Sequence, residues 1–147
     1  MLTTSAPSTP ELASRLRLAI TRTARRLRQR SDPALSPTQA AALATIERAG
    51  AITPSELARI ERVQRPTITR VATRLCQAGL VERLPDERDG RGARLRLTTE
   101  GRRTLRALRG RKTAYLAERL ERLDPSERAV LAQASELLER LLEEDSE

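Results

Sequence analysis

Apolar side chains recur every three or four residues in six segments of the chain, a spacing typical of helices that bury one face. Four of these segments begin with a hydroxyl or carboxylate residue followed by proline: Thr9-Pro10, Ser36-Pro37, Thr53-Pro54 and Asp124-Pro125. The side-chain oxygen can accept from an unpaired N–H of the first turn, and proline has no N–H there to leave unpaired. Three of the four segments also carry the Glu or Gln that completes a capping box, at Gln39, Glu56 and Glu127.

The six predicted helices extend over about residues 10–30, 37–49, 54–61, 64–78, 100–123 and 125–143. In the second helix, the side chains expected to point inward are Ala40, Leu43, Ala44 and Ile46. In the fourth, the spacing i, i+3, i+4, i+7 predicts a buried face formed by Ile68, Val71, Ala72 and Leu75. Gly79 is expected to end that helix, after which Leu80 packs back on it. The sixth helix has a wider apolar stripe, which favours contact with a second subunit.

Between the fourth and fifth helices, the pattern changes from helical spacing to strict alternation. In Arg94-Leu95-Arg96-Leu97 the leucines are expected to point inward and the arginines outward, which predicts a strand. A second predicted strand, Val81–Leu84, precedes it, and the segment between the two is polar and rich in glycine. A short helix, a tight turn, a second helix and a basic hairpin follow one another in the order of a winged helix-turn-helix domain. The predicted fold class is therefore mainly α (α+β).

The face of the fourth helix opposite its apolar stripe contains arginine, threonine and glutamine and no acidic residue. A helix exposed only for solubility usually mixes charges of both signs. Arginine can pair with guanine, glutamine with adenine, and a threonine methyl group can contact the thymine methyl group in the major groove. This pattern predicts that residues 64–77 form a recognition helix, with DNA-binding side chains at Gln64, Arg65, Thr67, Thr69, Arg70 and Arg74. Residues Gln64 to Arg70 are expected to read bases.

The positive charge of the chain is concentrated in its first two thirds. The formal net charge of the 147 residues is +8, of which residues 1–52 carry +5, residues 53–98 carry +4 and residues 99–147 carry −1. Such a distribution indicates a polyanionic partner for the first two thirds. The acidic segment 139–147 is expected to face solvent.

Several classes of protein are disfavoured by what the sequence lacks. The chain contains no histidine and a single cysteine, Cys76, so a structural zinc site, an intramolecular disulfide and the common pairs of nucleophile and base are not expected. We expect no cofactor and no enzymatic activity. No apolar run approaches the roughly 20 residues that cross a membrane, and residues 1–10 do not resemble a secretory signal. These features predict a cytoplasmic protein.

The sequence around the hairpin resembles the MarR family of bacterial regulators. Asp86-Glu87-Arg88-Asp89-Gly90-Arg91 is similar to the family's D-x-R-x-x-R signature, and Leu97-Thr98-Thr99-Glu100-Gly101 is similar to its LT-x-x-G signature. The segment Arg65-Pro66-Thr67-Ile68-Thr69-Arg70 and the later Gly79-Leu80-Val81 resemble the family's recognition helix and its exit. The resemblance extends from about Glu11 to Leu142.

The resemblance implies a homodimer that binds double-stranded DNA at a pseudo-palindromic operator, most often as a repressor released by a small-molecule effector. It implies that Arg88 and Arg91 contact DNA from the tip of the wing, with Arg91 in the minor groove, and that Asp86 and Asp89 hold the arginines of the wing. The expected division of the chain is 1–9 as a flexible N-terminus, 10–35 as an N-terminal dimerisation helix, 36–99 as the winged helix-turn-helix region and 100–147 as C-terminal dimerisation helices.

Some alternatives remain open on the sequence alone. A protein that binds nucleic acid without sequence preference would also be basic, although the mixture of Gln, Arg and Thr suits base edges better. Cys76 is interpreted as a small, partly buried side chain rather than a redox sensor. Tyr115, the only aromatic residue, either lines an effector pocket suited to a hydrophobic anion or simply packs. The arginines of the first helix are interpreted as solvated rather than as DNA contacts.

Overall fold

The computed structural model describes residues 5–30, 34–85 and 93–144. This part of the chain forms six helices and one two-stranded antiparallel sheet. In chain order, the elements are α1 (Thr9–Arg28), α2 (Pro37–Ala49), α3 (Pro54–Glu61), α4 (Arg65–Gln77), β1 (Val81–Pro85), β2 (Ala93–Leu97), α5 (Thr99–Leu120) and α6 (Pro125–Glu144). The predicted mainly helical fold with one hairpin is confirmed.

Capping boxes fix the starts of α2 and α3 at the predicted residues. At α2, Ser36 Oγ accepts from the N–H of Gln39 at 3.1 Å, and Gln39 Oε1 accepts from the N–H of Ser36 at 3.0 Å. Thr53 and Glu56 form the same reciprocal pair at α3. Because each box is encoded within four residues, the sequence alone places these helices correctly.

The predicted cap of α1 is wrong by one residue. Ser8, not Thr9, is the N-cap, and its backbone N–H donates to Glu11 Oε2 at 2.8 Å to complete a capping box. The hydrogen bonds from the backbone and the hydroxyl group of Ser8 lower the pKa of the Glu11 carboxyl. Ser8 is the N-cap in place of Thr9 because Glu11 is then the third residue of the helix, where the reciprocal hydrogen bond can form.

Four other predicted helix boundaries also need correction. Helix α1 ends at Arg28 rather than near residue 30, and α5 ends at Leu120 rather than near residue 123. Asp124 precedes a proline, which disfavours the helical backbone at Asp124 itself, so α5 closes before α6 begins. Gln64 and Ala78 flank α4 as its N-cap and C-cap and are not part of the helix.

The core of the winged region lies between α2, α3, α4 and the hairpin, and it is aliphatic. Its most deeply buried large side chains are Leu43, Ile46, Leu57, Ile68, Leu75 and Leu95. The four residues predicted to form the inner face of α4 are all buried. In α2 the prediction is partly wrong, since Ala42 and Thr45 are buried whereas Ala40 and Ala44 are only half-buried. Cys76 is half-buried against this core, as expected of a structural side chain.

The hairpin is held to the helices by a third extended segment. Val81 pairs with Leu97 and Leu84 with Arg94 in the β1–β2 register. Ile52, between α2 and α3, forms a two-way backbone bridge with Leu95, with N–O distances of 3.0 and 2.7 Å. Leu95 and Leu97 are buried as predicted. Arg94 is half-buried rather than fully outward, because its side chain turns back towards the segment between α2 and α3.

The chain divides into two compact units, Met1–Lys112 and Thr113–Glu147. In the second unit, Asp124 Oδ1 accepts from the N–H of Glu127 at 2.9 Å and caps α6. The Arg119 guanidinium lies 3.5 Å from the centroid of the Tyr115 ring in a cation–π contact. Neither α1 nor α6 contains a buried residue, so the apolar stripes of both helices are exposed in the single chain.

Candidate nucleic-acid interface

The turn between α3 and α4 sets the orientation of α4 relative to α3. Arg62 adopts a left-handed conformation with φ 54° and ψ 44°, and the next N–H, that of Val63, donates to the carbonyl oxygen of Ala58 at 3.1 Å. The hydroxyl group of Thr45 in α2 donates to Glu61 Oε1 at the end of α3. Since Thr45 is buried and Glu61 adjoins the turn, this bond ties the turn to α2.

Helix α4 presents a continuous polar surface that contains no acidic side chain. Its side chains at Gln64, Arg65, Thr69, Arg70, Thr73 and Arg74 are exposed, and Thr67 is half-buried. All six α4-region residues predicted to bind DNA therefore lie on or beside one surface. The N-terminal end of this surface carries Gln64 and Arg65, and that end of a recognition helix is the one that reaches base edges in helix-turn-helix proteins.

One side of this surface is organised by a row of side-chain hydrogen bonds. The Arg65 guanidinium donates to Ser55 Oγ at the start of α3. Thr69 Oγ1 donates to the carbonyl oxygen of Arg65 at 3.0 Å, and Thr73 Oγ1 donates to that of Thr69 at 2.8 Å. Arg83 in β1 then reaches Thr73 Oγ1 at 3.4 Å. The row links α3, α4 and the hairpin.

Ser55 and Arg83 belong to this row, although no pattern in the sequence points to either of them. Both are polar residues in elements that were assigned a structural role, and their proximity to α4 arises only from the tertiary fold. The Thr69 and Thr73 bonds have a local signal, because threonine within a helix often bonds the carbonyl group four residues earlier.

The base of the wing is built from paired and anchored arginines. Arg96 forms an ion pair with Glu82 across the β1–β2 strands. Arg94 Nη2 donates to the carbonyl oxygen of Ala51 at 2.9 Å. Both arginines are thus engaged within the protein. The predicted wing-tip residues Asp86, Arg88, Asp89 and Arg91 lie outside the described residues.

Two arginines of α4, Arg70 and Arg74, have no charged partner in the part of the chain that the structure describes. Surface ion pairs join Arg103 to Glu100, Arg109 to Glu47 and Arg122 to Glu118. Within the described residues, Arg70 and Arg74 form neither an ion pair nor a side-chain hydrogen bond, and both are exposed. Unpaired positive charge on an exposed helix attracts a polyanion.

Other kinds of site receive no support from the described ranges 5–30, 34–85 and 93–144. They contain no group of three or more Cys, Asp or Glu side chains placed to hold a metal ion. No helix in these ranges is long and apolar enough to span a membrane.

Comparison with known proteins gives a consistent result for the fold and for the sequence. Residues 35–92 match the model of the MarR family. An HTH-type transcriptional regulator of Mycobacterium bovis is 40% identical over 138 residues, which are 93% of this chain and 96% of the relative. A solved transcriptional regulator from Pseudomonas aeruginosa superposes with a TM-score of 0.81 at 35% identity, covering 94% of this chain and 99% of that one.

A solved structure of the Multiple Antibiotic Resistance Repressor, MarR, is also similar, with a TM-score of 0.76 at 27% identity over 96% of this chain and 99% of that one. The family match, the near-complete coverage of the relatives and the winged helix-turn-helix geometry agree with one another. The chain belongs to the MarR family of DNA-binding transcriptional regulators, which are not enzymes.

Proposed function

We propose that this regulator is a repressor that binds a pseudo-palindromic DNA operator as a homodimer. The observation that carries the proposal is the acid-free, exposed face of α4, which presents glutamine, arginine and threonine at the N-terminal end of a recognition helix. The similar solved MarR protein is named a repressor, which supports the same sign of regulation here. The regulator acts in the cytoplasm, where the chromosome lies.

Sequence discrimination is assigned to the N-terminal half of α4. Arg65 is the strongest candidate for a base contact, because its guanidinium is already oriented by Ser55 and needs little further ordering. Gln64 and Thr69 lie beside it on the same exposed end. A bidentate contact between arginine and guanine is worth about 1–3 kcal/mol of discrimination against another base.

The wing completes the contact with DNA in this proposal. Arg88 and Arg91 enter or border the minor groove, where a narrow groove has a strong negative potential. Asp86 and Asp89 restrain these arginines. The anchoring of β2 through Arg94 and Ile52 supports the proposal, since it provides a firm base for the wing.

The exposed apolar side chains of α1 and α6 support a homodimer. In α1, Leu12, Leu16 and Ile20 recur every four residues and are at least 36% exposed. In α6, Leu137 and Leu141 are 51% and 58% exposed. An apolar stripe of this kind on a soluble helix marks an interaction surface. A two-fold dimer places its recognition helices about one helical turn apart, so half-sites should be separated by about 10 base pairs.

A small hydrophobic anion is the proposed effector. The chain is aliphatic in its interior and rich in arginine at its surface, and such surroundings suit a ligand with an apolar body and a carboxylate. Binding that favours a dimer geometry incompatible with the operator would release the DNA.

The proposal is tested by selecting duplexes from a random DNA pool with the purified full-length protein. The selected sequence should contain an inverted repeat, and it should compete for the protein far better than random duplex of equal length. Affinity should fall steeply with salt, because each phosphate contact releases counterions. Equal competition by random DNA would instead indicate a protein that binds without sequence preference, and a flat salt response would contradict DNA binding altogether.

A further inference from the structure

The side of α4 opposite the Ser55–Arg65 row faces α2 across a small cleft. The polar residues that line the cleft are Ser36, Thr38, Gln39, Thr67, Arg70 and Arg74. The first three belong to the start of α2 and the others to α4, where positions 67, 70 and 74 follow the spacing of one helical face. The cleft therefore lies between the start of α2 and the middle of the recognition helix, α4.

The charge of this cleft is of one sign. Arg70 and Arg74 are its charged lining residues, and neither has an acidic partner within the described part of the chain. By contrast, the cleft beside the start of α5 is lined by Glu82 and Glu100 as well as by arginines. Two unpaired guanidinium groups on one cleft make a seat for an anion.

The start of α2 adds hydrogen-bond donors to the same place. Ser36 accepts the N–H groups of Gln39 and Ala40, and Pro37 has no N–H. Thr38 therefore contributes the remaining N–H of the first turn, together with its half-buried hydroxyl group. These groups complement the arginines opposite them, because N–H groups at a helix start bind phosphate well.

The size of the cleft favours a backbone phosphate of DNA over a drug-sized anionic ligand. Its volume is about 250 Å³, and it is open to solvent. Pockets for drug-sized ligands are usually about 300–1,000 Å³ and bury most of the ligand. A backbone phosphate of DNA needs only a shallow, charged seat, because the rest of the duplex stays outside.

We propose that this cleft binds one backbone phosphate of the DNA on which α4 docks, and that Arg70 and Arg74 are its phosphate ligands with Thr38. The inference rests on the proposed DNA-binding function and refines it. Base reading then belongs to Gln64, Arg65 and Thr69, whereas Arg70 fixes the position of the helix in the groove. Phosphate contacts of this kind set register but carry no direct sequence information.

The test compares variants of the full-length protein on the selected operator and on a scrambled duplex over a series of KCl concentrations, by fluorescence anisotropy. Arg70→Ala and Arg74→Ala should each weaken binding to both duplexes by the same factor. The double variant should lower the slope of log K against log salt by about 0.9 for each phosphate lost. Arg106→Ala, which removes an exposed arginine from α5, is the matched control and should leave the slope unchanged.

Thr38→Glu provides a second variant that does not endanger folding. A carboxylate in the first turn of a helix is favourable to the helix, yet here it would occupy the proposed phosphate seat. We expect unchanged or higher thermal stability together with a loss of at least tenfold in affinity for both duplexes, about 1.4 kcal/mol or more. Near wild-type affinity in this variant would overturn the proposal.

The outcomes separate this inference from the proposed function. If the wild-type protein prefers its operator but Arg70→Ala changes the preference for bases, or leaves the salt slope as it was, the phosphate seat is wrong and the proposed function stands. If the wild-type protein shows no operator preference, the proposed function itself is wrong. Saturable calorimetric binding of inorganic phosphate that both arginine variants abolish would overturn the assignment to DNA and indicate a free anion instead.

Discussion

Arg94 in β2 donates from Nη2 to the backbone carbonyl oxygen of Ala51, 2.9 Å away and 43 residues earlier in the chain. The bond adjoins the Ile52–Leu95 bridge, so the wing strand is fastened to the segment between α2 and α3 by side chain and backbone together. A half-buried charged donor on a backbone oxygen is among the stronger hydrogen bonds of a protein.

Arg94→Ala is expected to lower the free energy of unfolding by about 1–2 kcal/mol, because the Ala51 carbonyl group loses a charged donor. Urea unfolding followed by circular dichroism measures the change. Arg96→Ala is the matched control from the same strand, since Arg96 pairs with Glu82 at the surface and should matter by no more than about 1 kcal/mol. Equal losses in the two variants would contradict the anchoring role.

Gly101 lies directly against the backbone of Leu80. A Cβ at Gly101 would stand 2.0 Å from the Leu80 carbonyl oxygen, and that oxygen also accepts from the N–H of Thr98 at 3.0 Å. Gly101→Ala should therefore destabilise the protein by about 3 kcal/mol or more, through overpacking of backbone that cannot move freely.

The control for Gly101 is Gly110→Ala in the same helix, where nothing lies within 4 Å of the added methyl group. That variant should raise the free energy of unfolding by about 0.5–1 kcal/mol, because alanine is the better helix former. Thermal unfolding of both variants, compared with the wild type, checks the two opposite signs. A tolerated Gly101→Ala would mean that α5 can shift away from Leu80.

The bond between Arg65 and Ser55 should sharpen base discrimination. Ser55→Ala removes the hydroxyl acceptor but keeps the charge of Arg65, so the guanidinium must be ordered at the moment of binding. We expect a few-fold loss in the preference for the selected operator over single-base variants, smaller than the loss in Arg65→Ala. Competition anisotropy with duplexes altered at each position measures it. Ser135→Ala, in α6, is a serine control that should leave the preference unchanged.

Leu137 tests the proposed dimer. The side chain is 51% exposed in the single chain, and a partner helix would cover it. Leu137→Glu should shift the protein towards monomer at micromolar concentration, because a carboxylate buried without a partner is costly. Sedimentation velocity over a range of concentrations reports the shift. Glu139→Gln, which changes a neighbouring exposed residue without adding charge, should remain dimeric.

Asp124 should make the start of α6 sensitive to acid. Hydrogen bonds from the Ser126 hydroxyl group and then from the Glu127 N–H hold the pKa of Asp124 below its ordinary value of 3.8. The carboxylate form is therefore favoured by folding. Its stabilising effect is complete well above pH 3.8 and is lost as the pH falls through the lowered pKa. Amide exchange at Glu127 should accelerate over that range relative to a distant helix amide, and Asp124→Asn should remove the difference.

The sequence predicts well those features that a few adjacent residues determine. The starts of α2 and α3 follow from capping boxes, and the inner face of α4 follows from the spacing of Ile68, Val71, Ala72 and Leu75, all of which are buried. The end of α4 just before Gly79 follows from the positive φ that the glycine adopts there, 76°. Each of these is settled within one or two helical turns.

Contacts between residues that are distant along the chain could not be predicted from the sequence. Strict alternation predicts an outward Arg94, but the strand lies beside Ala51, and a backbone carbonyl there draws the side chain inward. Thr45 is buried against expectation because Glu61, 16 residues later, accepts its hydrogen. The cleft between Thr38 and Arg74 likewise exists only once α2 packs on α4. Polar contacts of this kind do not recur at a regular spacing along the chain, so no local sequence pattern predicts them.

The start of α4 differs from those of α1, α2 and α3 in a way that links recognition to folding. Gln64 makes no side-chain bond to the first turn, whereas the other three helices begin with complete capping boxes. A good N-cap contributes about 1 kcal/mol, so the first turn of α4 is the least securely closed of the four. DNA that contacts this turn would supply the stabilisation that a side-chain cap provides in the other three helices. Operator binding and the melting temperature of the protein are then thermodynamically linked through the same few residues that read the bases.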